Sequence, residues 1–384
     1  MKNLDELRLE IDKVDRELLK LFTQRMDICS QVADYKRSVG MPILDAEREK
    51  RVLDSKMELL DSDELKGEVY DFFDSMMAIS RGLQAKRLRE RDENDIISQM
   101  IKKSQAKVEN PTVCYFGAEG SYSEIATIKY FGEDVKRYCK DTFLNALNQL
   151  SNDDVDYAVV PLENSSTGAI SQVMDLLAKM GYFIVGEVYI PIHHCLLGKK
   201  GTKITDIKKI YSHEQGLLQS ADFISGLNGV ECERCQSTAQ SAKLVAESDN
   251  MNIAAIAGCQ NAKLYDLEIL AENINSSSVN TTRFVVVSKK PEIDDRCDKV
   301  SIVCSLPHES GALYRLLACF ARAGVSLLKL ESRPVPDKRF EYMFFMDYEG
   351  NLRDQDVCDV TRAVMEATSE FKLLGNYSAG NMEE

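Results

Sequence analysis

Apolar positions in the first hundred residues recur every three or four places. Leu4, Leu7, Ile11, Val14, Leu18, Leu21, Ile28 and Val32 draw one seam along a single helix. That helix is longer than a solitary globular helix needs, which suggests packing against a partner chain. A second helix is expected after Pro42 with Asp45 as its N-cap. A third is expected from about Ser62, with Leu65, Val69, Phe72, Met76, Ile79 and Leu83 as its stripe. From residue 111 the pattern changes. TVCYFG (112–117) and DYAVVPLEN (156–164) read as buried strands, and a helix is expected from about Ala169. HHCLLG (193–198), IYSHEQ (210–215), STAQSA (237–242) and NIAAIAG (252–258) follow, and NTTRFVVVS (280–288) closes the segment as a strand with polar first residues. Strands alternating with helices imply an α/β fold, with ligand sites at strand ends and helix starts. Residues 299–378 repeat the alternation on a smaller scale. KVSIVCSL, GALYRLLACFARAG, VSLLKLESRPV, FEYMFFMDYEG, a second helix and KLLGNY give the β-α-β-β-α-β order of a ferredoxin-like unit. Charged stretches at LRERDEN (88–94) and KKPEIDDRCD (289–298) separate these parts, so domains are expected at 1–104, 111–289 and 299–378.

Charge narrows the partners. The 48 Lys and Arg against 62 Asp and Glu give a net −14, a poor general binder of nucleic acid or anionic lipid. Anionic substrates would need local cationic pockets. The start, MKNLDELRLE, has charges where a signal peptide needs an apolar core, and no apolar run is long enough to span a membrane, so a cytoplasmic protein is expected. The eleven Cys are odd in number and irregularly spaced, and are expected to be reduced, mostly buried residues. One CxxC occurs, Cys232 and Cys235, without the second pair a zinc site wants.

The long seam contains an anomaly: Arg25 stands where an apolar residue belongs. A charge on a buried stripe is costly unless an anion meets it. Lys36, three turns later, shares that face, with its Cα roughly 16 Å away. Arg8 lies about 25 Å along the axis from Arg25 and off the face, so if it contributes to a site, that site is a partner's. The second helix puts Asp45, Arg48 and Glu49 on one side, and the third puts Ser80 one turn from Gln84. Taken singly these read as solvated or edge polar residues. Taken together they describe a polar, largely cationic pocket in a helical bundle. The segment resembles the all-helical chorismate mutases, most closely the N-terminal domain of bacterial P-proteins. The resemblance implies an intertwined dimer in which one Arg crosses from the partner. It assigns Arg8 and Arg25 to the two carboxylates of chorismate, and Lys36 and Gln84 to the ether oxygen. Asp45 and Glu49 would accept from the ring hydroxyl, with Arg48 and Ser80 in support.

The central segment carries Gly120-Ser121-Tyr122-Ser123, then Pro161, Glu163, Asn164 and Ser165, then Thr282-Arg283-Phe284. In this order they resemble the motifs of prephenate dehydratase. That implies two α/β lobes around a cleft, like a periplasmic binding protein, and loss of water and CO2 from prephenate. The resemblance makes Thr282 the donor to the leaving hydroxyl. It puts Ser121, Glu163, Asn164, Ser165, Thr167, Arg283 and Phe284 around the substrate, Arg283 as a supporting residue or anion clamp. His213 is a second acid–base candidate, although such a His is more often a satisfied core residue. One departure is Glu214, where many relatives have Pro.

In the last segment Gly311-Ala312-Leu313 and Glu331-Ser332-Arg333-Pro334 resemble the phenylalanine-contact motifs of the regulatory ACT domain. Read without the resemblance, they are a helix start and a strand end. The resemblance implies feedback inhibition by L-phenylalanine and pairing of subunits, as dimer or tetramer. Ser326 stands where relatives usually have Asn. Neither reaction needs a cofactor or metal. The competing expectations are a non-catalytic phenylalanine sensor, or a chain in which only one catalytic domain is active.

Overall fold

The computed structural model describes residues 2–41, 45–89, 96–152, 154–277, 279–335 and 341–381. Pro42, the charged residues 90–94 and Phe340, which figure in the expectations above, lie outside them. The chain divides into two compact units, Met1–Gln99 and Met100–Glu384.

The first unit is helical: α1 (Leu4–Ser38), α2 (Ala46–Met57) and α3 (Lys66–Arg89). Asn3 and Glu6 close a capping box at the start of α1, satisfying two amides the first turn would leave orphaned. Asp45 caps α2, accepting from the Arg48 amide at 2.9 Å. A short 3-10 turn, Asp63–Leu65, precedes α3. α3 packs on both α1 and α2, with Met26, Ala33, Leu53, Met76 and Met77 buried. The seam of α1 is on none of these contacts. Leu4 and Leu21 are each 61% exposed, and Ile11, Val14, Leu18, Ile28 and Val32 are exposed as well.

The second unit contains three sheets. In the first, the order is Lys136–Lys140, Thr112–Phe116, Tyr157–Asn164, Thr281–Ser288, Phe183–Pro191. The first three of these strands run parallel, and Thr281–Ser288 is antiparallel to both its neighbours. The second sheet runs Glu268–Ala271, His194–Gly198, Ile253–Gly258, Lys209–His213, Glu231–Cys235. The chain crosses between these two sheets just after Pro191 and just before Thr281. The crossings are fastened side by side: the Ile192 amide donates to the Asn280 carbonyl at 2.7 Å, and Asn275 bridges the Ile192 carbonyl and the His194 amide. The third sheet, Leu327–Pro334, Tyr342–Glu349, Lys299–Ser305, Glu370–Tyr377, is antiparallel, with helices Ala312–Ala323 and Gln355–Ala367.

The third sheet shares a core with the first. Val303, Phe345, Leu374 and Tyr377 pack with Leu162, Met174, Leu177, Ile184, Val285 and Val287. Lys372 donates to the Leu177, Ala178 and Met180 carbonyls at the end of helix Ser171–Lys179, and burial pushes its pKa down to about 8. Gly375 permits the closest approach, because a Cβ there would collide with the Ile184 carbonyl. Gly375→Ala is therefore expected to cost about 1–3 kcal/mol through overpacking. A calorimetric melt of the full chain checks this, and an unchanged melting temperature would contradict the shared core.

Two expectations are corrected. The helix expected from Ala169 begins at Ser171, because Gly168–Ala169 pairs back on Glu163 and Asn164. The cysteines are not all free: Cys195 and Cys259 form a disulfide, their Cα atoms being 5.4 Å apart, within the span such a bond needs. Cys232 and Cys235 are free, and at i and i+3 on a strand their side chains leave opposite faces. Among the described residues no group of His, Cys, Asp and Glu is arranged to hold a metal. No described helix is long and apolar enough to cross a membrane.

Candidate active sites

In the first unit the anomalous cation keeps its anomaly. Arg25 is half-buried, and its Nη1 is buried without a hydrogen-bond partner. On α3, Ser80 and Gln84 are buried, and the Gln84 Nε2 donates to the Ser80 Oγ at 3.0 Å, leaving the Gln84 Oε1 buried and unpartnered. Orphaned polar atoms inside a thin core are expensive unless a ligand completes them. Glu49 of α2 is paired with Arg81 of α3, a residue the sequence reading missed although it adjoins Ser80. Asp45 is occupied as the α2 cap, Lys36 is half-buried in the last turn of α1, and Arg48 is exposed. Arg8 is exposed near the start of α1, 3.5 Å from Asp5 and far along the axis from Arg25.

In the second unit a polar cluster lies where the first two sheets meet. Thr282 and Asn164 are opposite each other in the ladder between their strands. The Asn164 Nδ2 donates to the Thr282 Oγ1 at 2.9 Å and to the Asn280 Oδ1 at 2.7 Å. The Asn164 Oδ1 accepts from the amides and hydroxyls of Ser166 and Thr167. From the other sheet's side, the Gln219 Nε2 reaches the Ser166 Oγ at 3.1 Å, and the Gln219 Oε1 meets the His194 Nε2 at 2.9 Å. His194 is buried, which lowers its pKa, the Gln219 contact pulling the other way. Neither Gln219 nor His194 was singled out in the sequence. Gln219 gives no signal there, being one polar residue at a helix end.

Several of the expected contact residues have structural roles. Ser121 caps helix Tyr122–Phe131. Gly120, at φ 81°, offers its carbonyl to Gln260 and Asn261, and a Cβ there would strike the Asn261 side chain. Ser165 binds the Thr281 amide at 2.9 Å. Phe284 is buried in the sheet core. The His213 Nδ1 accepts from the Gln215 amide, a capping role.

Glu163 and Arg283 pair with each other and with side chains of the third sheet. Alternate strand residues point to opposite faces, so the neighbours of Asn164 and Thr282 project away from them. Arg283 is buried, and its guanidinium makes four bonds: Glu187 at 2.7 Å, Glu163 at 3.0 Å, Asp347 at 2.6 Å and the Tyr377 hydroxyl at 2.8 Å. These bonds use four of the five N–H groups of the guanidinium. Lys329 pairs with Glu163 and Lys299 with Glu187. Three carboxylates thus meet three cations, which is how buried charge is tolerated. Burial alone would push the Glu163 carboxyl up, but Lys329 and Arg283 outweigh it and hold the carboxyl below its ordinary range.

In the third sheet, Gly311 precedes helix Ala312–Ala323 with φ 76°, a left-handed conformation that suits glycine. Along Leu327–Pro334 burial alternates, so Lys329, Glu331 and Arg333 are half-buried while Leu328, Leu330, Ser332 and Pro334 are exposed. Arg333 binds Ser171 and Asp175 of the neighbouring helix. Leu313 is exposed at the helix start. A cavity of about 590 Å³, lined by Asp295, Asp298, Glu349, Arg353 and Asp354 among others, contains none of the expected contact residues.

Residues 7–85 match the family described as chorismate mutase type II, and residues 113–292 the family described as prephenate dehydratase. A curated relative from Neisseria gonorrhoeae, described as bifunctional chorismate mutase/prephenate dehydratase, is 33% identical over 98% of both chains. A solved structure described as prephenate dehydratase in complex with L-Phe from Arthrobacter aurescens has TM-score 0.64 and 30% identity. It covers 70% of this chain and 89% of its own. A structure of like similarity, TM-score 0.63 and 28% identity over 70% of this chain and 98% of its own, is described as a quorum-quenching acylase. Likeness over the second unit alone therefore leaves the reaction open. The match along the whole length decides it.

Proposed function

Because the chain belongs to the family of bifunctional chorismate mutase/prephenate dehydratases, we propose that its two polar clusters are the two active sites of that pathway step. The enzyme rearranges chorismate to prephenate and converts prephenate to phenylpyruvate, CO2 and water in phenylalanine biosynthesis. The observation that carries the assignment is the Asn164–Thr282 pair at the junction of two sheets, within a chain alike along its whole length to such enzymes.

The rearrangement needs no nucleophile. It needs a compact conformer of chorismate and a donor to the ether oxygen as charge builds there. In our reading Arg25 and the partner's Arg8 hold the carboxylates, and Lys36 and the second N–H of Gln84 reach the ether oxygen. Asp45 and Glu49 accept from the ring hydroxyl, supported by Arg48 and Ser80. The bare α1 seam favours an intertwined dimer, since so many exposed apolar residues in one line are unfavourable in water. Gln84→Leu is expected to lower the mutase turnover about 10²–10³-fold and leave prephenate consumption unchanged. A steady-state assay of each half-reaction checks this.

For the second reaction, the Thr282 Oγ1 accepts from Asn164, so its own proton is free to point at substrate. The ring C–O bond breaks as that proton goes to the leaving hydroxyl, giving water. The electron pair of the ring carboxylate bond moves into the ring as CO2 departs, and the ring becomes aromatic. Thr282 regains its proton from solvent. Ser121, Ser165 and Thr167 complete this reading of the cleft between two lobes shaped like a periplasmic binding protein.

The proposed domains are 1–104 for the mutase, 111–289 for the dehydratase and 299–378 for a regulatory ACT domain. L-phenylalanine would bind at Gly311, Ala312, Leu313, Glu331, Ser332, Arg333 and Pro334 and inhibit. The β-α-β-β-α-β order and the L-Phe bound by the Arthrobacter relative support this part. The test is purified protein given chorismate, with and without L-phenylalanine. Phenylpyruvate formation suppressed by phenylalanine is expected. Accumulated prephenate would remove Thr282 from its role, and binding of phenylalanine without turnover would favour a sensor.

A further inference from the structure

We propose that Lys329, on the third sheet, is a positioning residue for the dehydratase reaction, acting on Thr282 and Asn164 through Glu163 and Arg283. The inference rests on the reading of Thr282 given above.

Each member of the Asn164–Thr282 pair is joined by one peptide bond to a member of the Glu163–Arg283 pair, and the two pairs are successive rungs of one ladder. One rung faces the polar cluster, and the other faces the third sheet. Glu163 is held between two cations of different origin: Arg283 beside it on the next strand, and Lys329 from Leu327–Pro334. Arg283 in turn reaches Asp347 and Tyr377 of the third sheet, where Ser301 binds both, at 2.6 Å to Asp347 and 2.7 Å to the Tyr377 hydroxyl. The ladder also shifts register between Arg283 and Phe284, directly behind this rung. A bulge bends its strand and re-aims the side chains beyond it, so this end of the ladder depends on side-chain ties for its geometry.

Lys329 shares a strand face with Glu331 and Arg333, and Arg333 makes a second tie, to Asp175. One strand of the third sheet therefore grips the dehydratase at two points, one of them a single residue from Asn164. A ligand that moves this strand moves the Glu163 anchor. Loss of Lys329 leaves Glu163 on Arg283 alone, and the Asn164–Thr282 geometry loosens. Misplacement of reacting groups by about 1 Å lowers rates by up to about 10²-fold.

The experiment uses the full chain and four variants: K329M, K329R, E163Q and the double variant K329M/E163Q. K329M is expected to lower the prephenate kcat between about 10- and 100-fold, with KM little changed and the chorismate rate kept. K329R is expected to restore most of the loss. The double variant should be no slower than E163Q, because once the Glu163 carboxylate is gone Lys329 has no charge there to hold. L-phenylalanine should still bind K329M in titration calorimetry yet inhibit it less than the parent. K329Q repeats the measurement if a thermal melt shows K329M unfolded. A K329M or K329Q enzyme with parental kcat and parental inhibition would overturn the proposal, as would losses that add in the double variant. Absence of prephenate turnover in the parent would instead sink the function reading itself.

Discussion

Replacing Thr282 by valine lowers the rate of phenylpyruvate formation by about 10²–10⁴-fold, the usual contribution of a positioned proton donor. Valine keeps the shape and the β-branch, so the strand Thr281–Ser288 is undisturbed. What disappears is the hydroxyl that takes its hydrogen bond from Asn164 and turns its own proton outward. A Thr hydroxyl is a weak acid, so the effect should appear in kcat, with little change in the pH at which the rate peaks. Chorismate consumption should be unaltered, and prephenate should accumulate. Assaying both reactions on one preparation decides the point. Undiminished phenylpyruvate formation by T282V would move the donor role elsewhere in the cluster.

Arg283→Met is expected to act on stability first. Glu187 has no exposed side-chain surface and Asp347 has little, and both pair with this guanidinium. Removing one partner of a buried network strands the others, at a cost of about 3–5 kcal/mol. The melt of the second unit should fall accordingly, with dehydratase activity lost at temperatures where the mutase persists. A residue that clamped substrate would behave differently, raising KM with the melt unmoved. Acid adds a second readout. The Glu163 carboxyl is depressed below its ordinary 4.5 by Lys329 and Arg283. Its contribution is therefore present above about pH 4.5 and lost as pH falls through the lower folded value. R283M removes part of that depression, so its acid limb should be shallower than the parent's.

The sequence was readable where burial is two-sided. Tyr157–Asn164 and Ile253–Gly258 are covered on both faces and appear as unbroken apolar runs. Edge strands are different. KRYCK and ECERC are largely solvated, so Lys136–Lys140 and Glu231–Cys235 carry no apolar pattern and were not foreseen. Arg25 stands out in the sequence because one charge interrupts a regular seam. Thr282 and Asn164 were legible as motifs, but the faces of their neighbours were not. Glu163 and Arg283 are 120 residues apart, and their other partners, Glu187, Lys299, Lys329 and Asp347, belong to phrases with no chemistry of their own. Only the register of the folded sheet shows that adjacent residues of one motif serve opposite faces.

The core shared by the first and third sheets has an evolutionary consequence. Val303, Phe345, Leu374 and Tyr377 fill space beneath Ile184, Val285 and Val287. A sheet grafted from another protein would have to reproduce those volumes and a glycine opposite Ile184. Recombination at the 289–298 boundary therefore breaks the packing, although the charge pattern there looks like a seam between modules. A substitution on one side is expected to need a compensating one on the other, so the two sheets are expected to be exchangeable only as one piece.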